Sequence, residues 1–317
     1  MEDMKEKTKT AVVFPGQGSQ RSGMGKDFYE NAEVSRRTFE EASDILGWDV
    51  AAMCFSEDER MNLTEYAQPC ILTTEIAMMR AMEELYGFAP DYFGGHSLGE
   101  YTALVAAGAL PFADALKTVE TRGHLMQQAS PPGQGAMAAV ISKNLDMGKI
   151  REILNDLPID VANINSTDQV VISGRADSMD MARQRISLAV GDEQNMRFVP
   201  LNVSAPFHSR FMNTVREKFR EVLSVIAARL NEGKAQRVTS NYTGRFHDPA
   251  KSRVIEALVA QLSGSVKWRD NMSALAEKSQ KIYEIGPNRP LKNFFRSLDV
   301  NCRSITTFSA AAREFSV

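Results

Sequence analysis

Apolar positions along this chain keep two rhythms. Ala11-Val12-Val13-Phe14 reads as a short buried strand, and Tyr92-Phe93-Gly94 and residues 281–285 as two more. Longer stretches follow the helical period. Phe28, Val34, Phe39, Ile45 and Leu46 recur within a mostly helical region at 26–86, where 71–85 is the better amphipathic run. Residues 100–108 and 111–128 read as two further helices, with Pro111 near a first turn. Met78, Met79 and Met82 read as core filler.

The rhythm changes after Pro131-Pro132-Gly133-Gln134-Gly135, which reads as a linker. Strands are expected at 136–141, 159–163, 169–173 and 197–201, with helices at 146–155 and 178–190. Strand-helix-strand-strand-helix-strand is the order of a ferredoxin-like unit, so 134–203 is expected to be a small inserted subdomain. Residues 1–133 and 204–317 then form the large domain, an α/β domain with a parallel sheet. Its second part is expected to carry helices at 213–230, 252–262 and 268–278, and strands at 237–240 and 281–285. Residues 1–10 read as a frayed start.

One stretch carries chemistry within that frame. Gly95-His96-Ser97-Leu98-Gly99 lies between a strand and a small-residue helix, the context a nucleophile elbow requires. Alone, Gly-x-Ser-x-Gly arises by chance; the flanking elements give it meaning. The turn would lift the Ser97 hydroxyl to a helix start, and the Leu98 N–H would be half of an oxyanion hole. A serine needs a base, and the chain has four histidines. His96 adjoins Ser97 but projects elsewhere, so it reads as a site-lining residue. His124 lies within a helix, and His247 sits in a polar loop that reads as solvated. His208, in the loop that returns to the large domain, is the best-placed candidate. Arg122, one helix beyond the elbow, reads either as a surface arginine or as a fork for a substrate carboxylate. The loop Pro15-Gly16-Gln17-Gly18-Ser19-Gln20 matches no phosphate-loop spacing.

Composition excludes more than it assigns. The 317 residues are 43% apolar and 24% charged, with a net charge of −3, which gives no reason to expect nucleic acid or a membrane surface as partner. No apolar run reaches the length of a membrane span, and no secretory signal is expected at the start. Cys54, Cys70 and Cys302 are scattered and read as free thiols in a reducing compartment. A cytoplasmic protein is expected, with no metal and no bound cofactor.

Taken together and in order, Phe14-Pro15-Gly16-Gln17-Gly18-Ser19-Gln20, Gly95-His96-Ser97-Leu98-Gly99-Glu100-Tyr101, Arg122-Gly123-His124-Leu125-Met126-Gln127, Asn165-Ser166, Val203-Ser204-Ala205-Pro206-Phe207-His208-Ser209 and Glu284-Ile285-Gly286-Pro287 resemble the malonyl-CoA:acyl carrier protein transacylases and related polyketide acyltransferases. The resemblance spans residues 11–308. It implies an α/β-hydrolase-like large domain. It also implies Ser97 as nucleophile, His208 as base, and the backbone carbonyl near Gln261 as the group that orients the imidazole. Gln17 and Leu98 resemble the oxyanion-hole donors. Arg122 matches the malonyl-carboxylate fork and Phe207 the pattern of malonyl-selective members, and His96, beside the serine, is expected to bind on the substrate side. Malonyl-CoA and a phosphopantetheinylated acyl carrier protein are the implied substrates of a monomeric enzyme.

The segment Pro287-Asn288-Arg289-Pro290-Leu291 departs from the fatty-acid enzymes, which usually show a further glycine there. Asn288 can take the left-handed backbone such a turn uses. With Ser240-Asn241-Tyr242-Thr243-Gly244-Arg245, this leans toward a discrete polyketide acyltransferase, and fatty-acid supply stays open. Arg289, Lys292 and Arg296 read either as a solvated helix face or as a docking patch for an acidic carrier. An acyl hydrolase acting on carrier proteins, or a non-catalytic docking subunit, are the competing readings.

Overall fold

In this computed structural model, which describes residues 8–131, 133–190, 196–203 and 205–316, the chain opens with β1 (Thr10–Phe14). Four helices follow: α1 (Lys26–Asn31), α2 (Glu33–Leu46), α3 (Val50–Phe55) and α4 (Thr64–Tyr86). β2 (Tyr92–Gly95) leads into α5 (Gly99–Ala106) and α6 (Phe112–Gln128). The next stretch runs β3 (Gly135–Ile141), α7 (Met147–Leu154), β4 (Ile159–Ile164), β5 (Gln169–Arg175), α8 (Met179–Val190) and β6 (Arg197–Pro200). The return carries α9 (Arg216–Ile226), α10 (Glu232–Ala235), β7 (Thr239–Ser240), β8 (Arg245–Phe246), α11 (Lys251–Gln261) and α12 (Trp268–Lys278). It ends with β9 (Lys281–Ile285), α13 (Pro290–Arg296), β10 (Cys302–Ile305) and α14 (Phe308–Phe315).

The fold is α/β. One four-stranded sheet has the order β10-β9-β1-β2 and is parallel throughout. Along β1, Val12 and Phe14 enter one apolar core, and Ala11 and Val13 enter another on the opposite face. Side chains alternate along a strand, so an unbroken apolar run needs both faces covered, and helices cover them. The register pairs Phe14 with Gly95, so β1 and β2 end level. Their following loops, at Gln17 and at Ser97, therefore emerge side by side at the carboxyl edge, where open α/β sheets hold ligands.

The second sheet has the order β4-β5-β3-β6, with every pair antiparallel. α7 and α8 bury Ile150, Leu154, Ala182 and Ile186 against Val140, Val170 and Ile172. Its β4 edge docks on the larger part of the chain through Ile164 N–H to the Val266 carbonyl at 2.9 Å and Val266 N–H to the Ala162 carbonyl at 2.8 Å.

Several expectations need correction. The region 213–230 is not one helix: 3-10 turns at Arg210–Val215 and Ala227–Arg229 flank α9. β10 was not expected; Cys302–Ile305 is short and half polar, and becomes a strand by pairing with β9. Asn288 is absent from the residues with left-handed backbone; its side chain accepts the Arg289 N–H at 2.9 Å instead. The frayed start is ordered by Thr10, whose N–H donates to Asp91 at 3.0 Å, and residues 1–7 lie outside the described residues. Within the linker and the His208 motif, Pro132 and Ser204 also lie outside them.

Glu284, at the end of β9, accepts from the Leu291 N–H at 2.8 Å and the Lys292 N–H at 3.0 Å, which caps α13 beside Pro290. Burial nonetheless pushes its carboxyl up to about 7. No helix among the described residues is long and apolar enough to cross a membrane.

Candidate active site

The elbow between β2 and α5 is built from close approaches. A Cβ on Gly99 would lie 2.2 Å from the Phe14 carbonyl oxygen, and one on Gly95 would lie 2.0 Å from Gly99 itself. Only residues without Cβ allow that approach. Ser97 sits at φ 53°, in the left-handed region that costs a non-glycine residue about 1–3 kcal/mol. His208 shares the feature at φ 56°. Two of the four non-glycine left-handed residues among those described are thus the pair singled out for chemistry.

Packing holds them there. Ser97 Oγ lies 2.7 Å from His208 Nε2, and His208 Nδ1 lies 2.7 Å from the backbone carbonyl of Gln261. A carbonyl only accepts, so the proton sits on Nδ1 and the Nε2 lone pair faces the hydroxyl. No carboxylate is needed to set this tautomer. Burial first, and the Arg122 guanidinium second, push the His208 imidazole down to about 3, against a smaller upward pull from the Gln261 carbonyl. The imidazole is therefore neutral across the physiological range.

Arg122 is not a surface arginine. It projects from α6 with 1% exposure. Its guanidinium donates to Gln68 Oε1 at 2.8 Å, Gln261 Oε1 at 3.0 Å and Ser97 Oγ at 3.1 Å, and lies over the Tyr101 ring. Every acceptor is neutral, and Nε is buried with no partner. A buried charge whose hydrogen bonds all go to neutral groups, with the Glu100 carboxylate acting on it only from behind Gln261, is expensive, and an incoming carboxylate would offset that cost.

The support behind this trio was not legible in the sequence. Glu100, in the first turn of α5, is fully buried. One carboxylate oxygen accepts the Asn241 backbone N–H at 3.0 Å, its side-chain amide at 2.7 Å and Gln261 Nε2 at 2.7 Å. The other lies 2.9 Å from His247 Nε2. His247 is thus buried at 4% exposure, and the expectation of a solvated loop histidine was wrong. The loop polarity that suggested solvent instead serves a buried carboxylate.

Asn241 Oδ1 accepts the Ser97 N–H at 3.0 Å, and its amide donates to the Gly95 carbonyl at 2.7 Å. Gln261 Nε2 also donates to the Ser97 carbonyl at 2.9 Å. Glu100 therefore fixes two amides, and they fix the elbow backbone and the Arg122 fork. The one available signal was Glu100 directly after the elbow glycine, a carboxylate at a helix start.

The other expected site residues surround this centre. Gln17 follows β1, and a Cβ on its neighbour Gly16 would lie 2.4 Å from the His96 carbonyl oxygen, so that loop lies against the elbow. The backbone N–H groups of Gln17 and Leu98 take no acceptor among the described residues. His96 Nε2 lies 2.8 Å from Asn165 Oδ1 at the tip of β4, and its ring packs edge-on to Trp268 at 5.7 Å. Burial lowers its pKa, opposed by the bond to Asn165. Phe207 is 6% exposed within the main core. His124 is half exposed beside Glu65 and outside the centre. Arg289 and Arg296 are exposed and Lys292 is half-buried along α13. Among the described residues no cluster of three or more His, Cys, Asp or Glu side chains is placed to hold a metal ion.

A serine on a strand-to-helix elbow, a neutral imidazole against its hydroxyl and free N–H groups beside it define an acyl-transfer site on an α/β fold. The acyl transferase domain family matches residues 11–290. A malonyl CoA-acyl carrier protein transacylase of Bacillus subtilis (strain 168) is 36% identical, across 98% of this chain and 96% of its own length. One of Escherichia coli O157:H7 is 35% identical, across 96% of each. Among solved structures, FabD from Acinetobacter baumannii superposes with a TM-score of 0.87 at 38% identity, covering 97% of both chains. A malonyl-transacylase solved with a type II polyketide acyl carrier protein gives 0.86 at 33% identity, covering 97% of this chain and 99% of that one. The chain belongs to the malonyl CoA-acyl carrier protein transacylase family.

Proposed function

We propose that the chain moves a malonyl group from malonyl-CoA to the phosphopantetheine thiol of an acyl carrier protein, through an ester on Ser97. The observation that carries this is the Ser97 hydroxyl held between His208 Nε2 at 2.7 Å and the buried, carboxylate-free guanidinium of Arg122 at 3.1 Å. His208 takes the hydroxyl proton as Ser97 Oγ attacks the thioester carbonyl. The oxyanion lies against the Gln17 and Leu98 N–H groups, each donor being worth on the order of 3 kcal/mol. Collapse expels the CoA thiolate, which leaves with the proton from His208. The carrier thiol then gives its proton to His208, attacks the ester and regenerates Ser97. Arg122 holds the malonyl carboxylate throughout, and Phe207 narrows the space beside it. His96 lines the substrate side.

An acyl hydrolase would share Ser97 and His208 but has no use for a buried guanidinium without a carboxylate partner. We read the larger part of the chain, 1–133 and 204–317, as an α/β-hydrolase-like domain, supported by the elbow at the end of a parallel strand. We read 134–203 as ferredoxin-like, supported by the order β4-β5-β3-β6 with α7 and α8 on one face. A cytoplasmic monomer that needs no bound cofactor suits this reading. The test is intact-mass spectrometry after incubation with malonyl-, methylmalonyl- and acetyl-CoA. A retained malonyl adduct on Ser97, discharged by a holo carrier protein, is expected. Rapid discharge to water with no carrier transfer would favour the hydrolase.

A further inference from the structure

A cavity of about 410 Å³ lies where α7 and the end of β4 face the segments before and within α12. Four cations line it: Arg151, Arg245, Lys267 and Arg269. Asp270 is its one carboxylate, and that side chain pairs with Arg269 at 3.3 Å. Arg151, Arg245 and Lys267 have no carboxylate partner among the described residues; Lys267 lies over the Tyr242 ring at 5.5 Å. In a chain of net charge −3, three unpaired cations around one hollow are a local excess of positive charge. A concave basic site suits a compact polyanion, and phosphate oxygens above all.

Its position relates it to the reactive serine. Two of its wall residues, Ile164 and Lys267, are chain neighbours of Asn165 and Trp268, the two groups that hold His96 next to Ser97. Arg151 also lines a second cavity of about 380 Å³ whose wall includes His208. The basic hollow thus borders the segments that pack around the elbow and shares Arg151 with the cavity beside His208.

We propose that this cavity binds the phosphate groups at the nucleotide end of the CoA thioester donor. The inference rests on the acyl-transfer reading above and adds a site to it. Malonyl-CoA places its reacting thioester and its phosphates at opposite ends of one flexible arm. A basic hollow beside the acyl site binds the far end, and this part of the binding is weakened by salt. The nucleotide leaves with the CoA thiol after the first half-reaction, which frees the same space before the carrier arrives.

The test compares kcat/KM for Ser97 acylation by malonyl-CoA and by malonyl-pantetheine, which carries no phosphate. In Arg245→Gln/Lys267→Gln the ratio of the two is expected to fall about tenfold or more, since charge-assisted bonds to phosphate are among the strong ones. Arg183→Gln, an exposed change on α8, keeps the wild-type ratio. Calorimetry with 3′,5′-ADP is expected to show binding to the wild type, competitive with malonyl-CoA, and to lose it in the double variant. If the double variant misfolds, the single changes are read by the same ratio. An unchanged ratio, a parallel loss with both donors, or equal 3′,5′-ADP binding overturns the proposal. A loss confined to transfer onto the carrier assigns the hollow to the carrier and overturns it too. The 3′,5′-ADP measurement needs no acyl transfer. A wild type that never forms the Ser97 ester therefore fails the functional reading separately.

Discussion

The two four-stranded sheets of this molecule differ in the charge buried around them. The core between β3–β6 and helices α7 and α8 is built of apolar side chains, from Val140 and Ile172 to Ile150 and Ile186, and the polar side chains buried along these strands, such as Ser173 and Asn163, carry no charge. Around the parallel sheet, Glu100, Arg122, His208, Asn241, His247 and Gln261 are all buried. Hydrogen bonds run from Glu100 to Asn241 and Gln261, and from Gln261 to Arg122, which ties the elbow to the guanidinium. An apolar core makes a wall, whereas a paired polar core holds reacting groups at fixed angles. The antiparallel sheet adds one polar group to the centre, Asn165, from the tip of β4.

Removing the hydroxyl should break this contrast most completely. Ser97→Ala is expected to abolish the malonyl adduct, as read by intact mass. Arg122→Ala should follow. Losing a buried charged partner costs about 2–5 kcal/mol, so malonyl loading should fall about two to three orders of magnitude while acetyl loading falls far less. Equal losses would remove the proposed fork. Glu100→Ala strands the donors of Asn241 and Gln261, and should destabilise the protein by about 3–5 kcal/mol in a denaturant titration, with acylation impaired. Ile172→Ala in the other core should cost a comparable 2–4 kcal/mol or so, yet leave kcat/KM unchanged at low temperature. A strong activity loss there would show that the wall is more than a wall.

The pH dependence sharpens the same point with the smallest effect. His208 is pushed down to about 3 by burial and by the Arg122 charge, so the acid limb of acetyl loading should lie well below the ordinary histidine value near 6.5. Removing a neighbouring positive charge favours the imidazolium. Arg122→Met should therefore move that limb toward neutral pH in a rate profile taken with acetyl-CoA.

Much of the centre could be read before any coordinates. Local chemistry carries its own signature: the glycines at 95 and 99 announce a turn that only glycine permits, and the strand and helix around them show which way the serine faces. The helical and strand periods likewise marked most elements, because burial on one face repeats at the element's own period. Tertiary contact decided the rest. Whether His247 met water or a carboxylate depended on Glu100, 147 positions away by their residue numbers, and no local pattern encodes that meeting. Cys302–Ile305 became a strand through its neighbour β9, and Gln261 acquired three side-chain bonds that its helix alone would never suggest. Sequence determines what each segment can do alone. Which buried charge finds which partner is settled only when distant segments share a low-dielectric interior, since there every unmatched group carries a large cost.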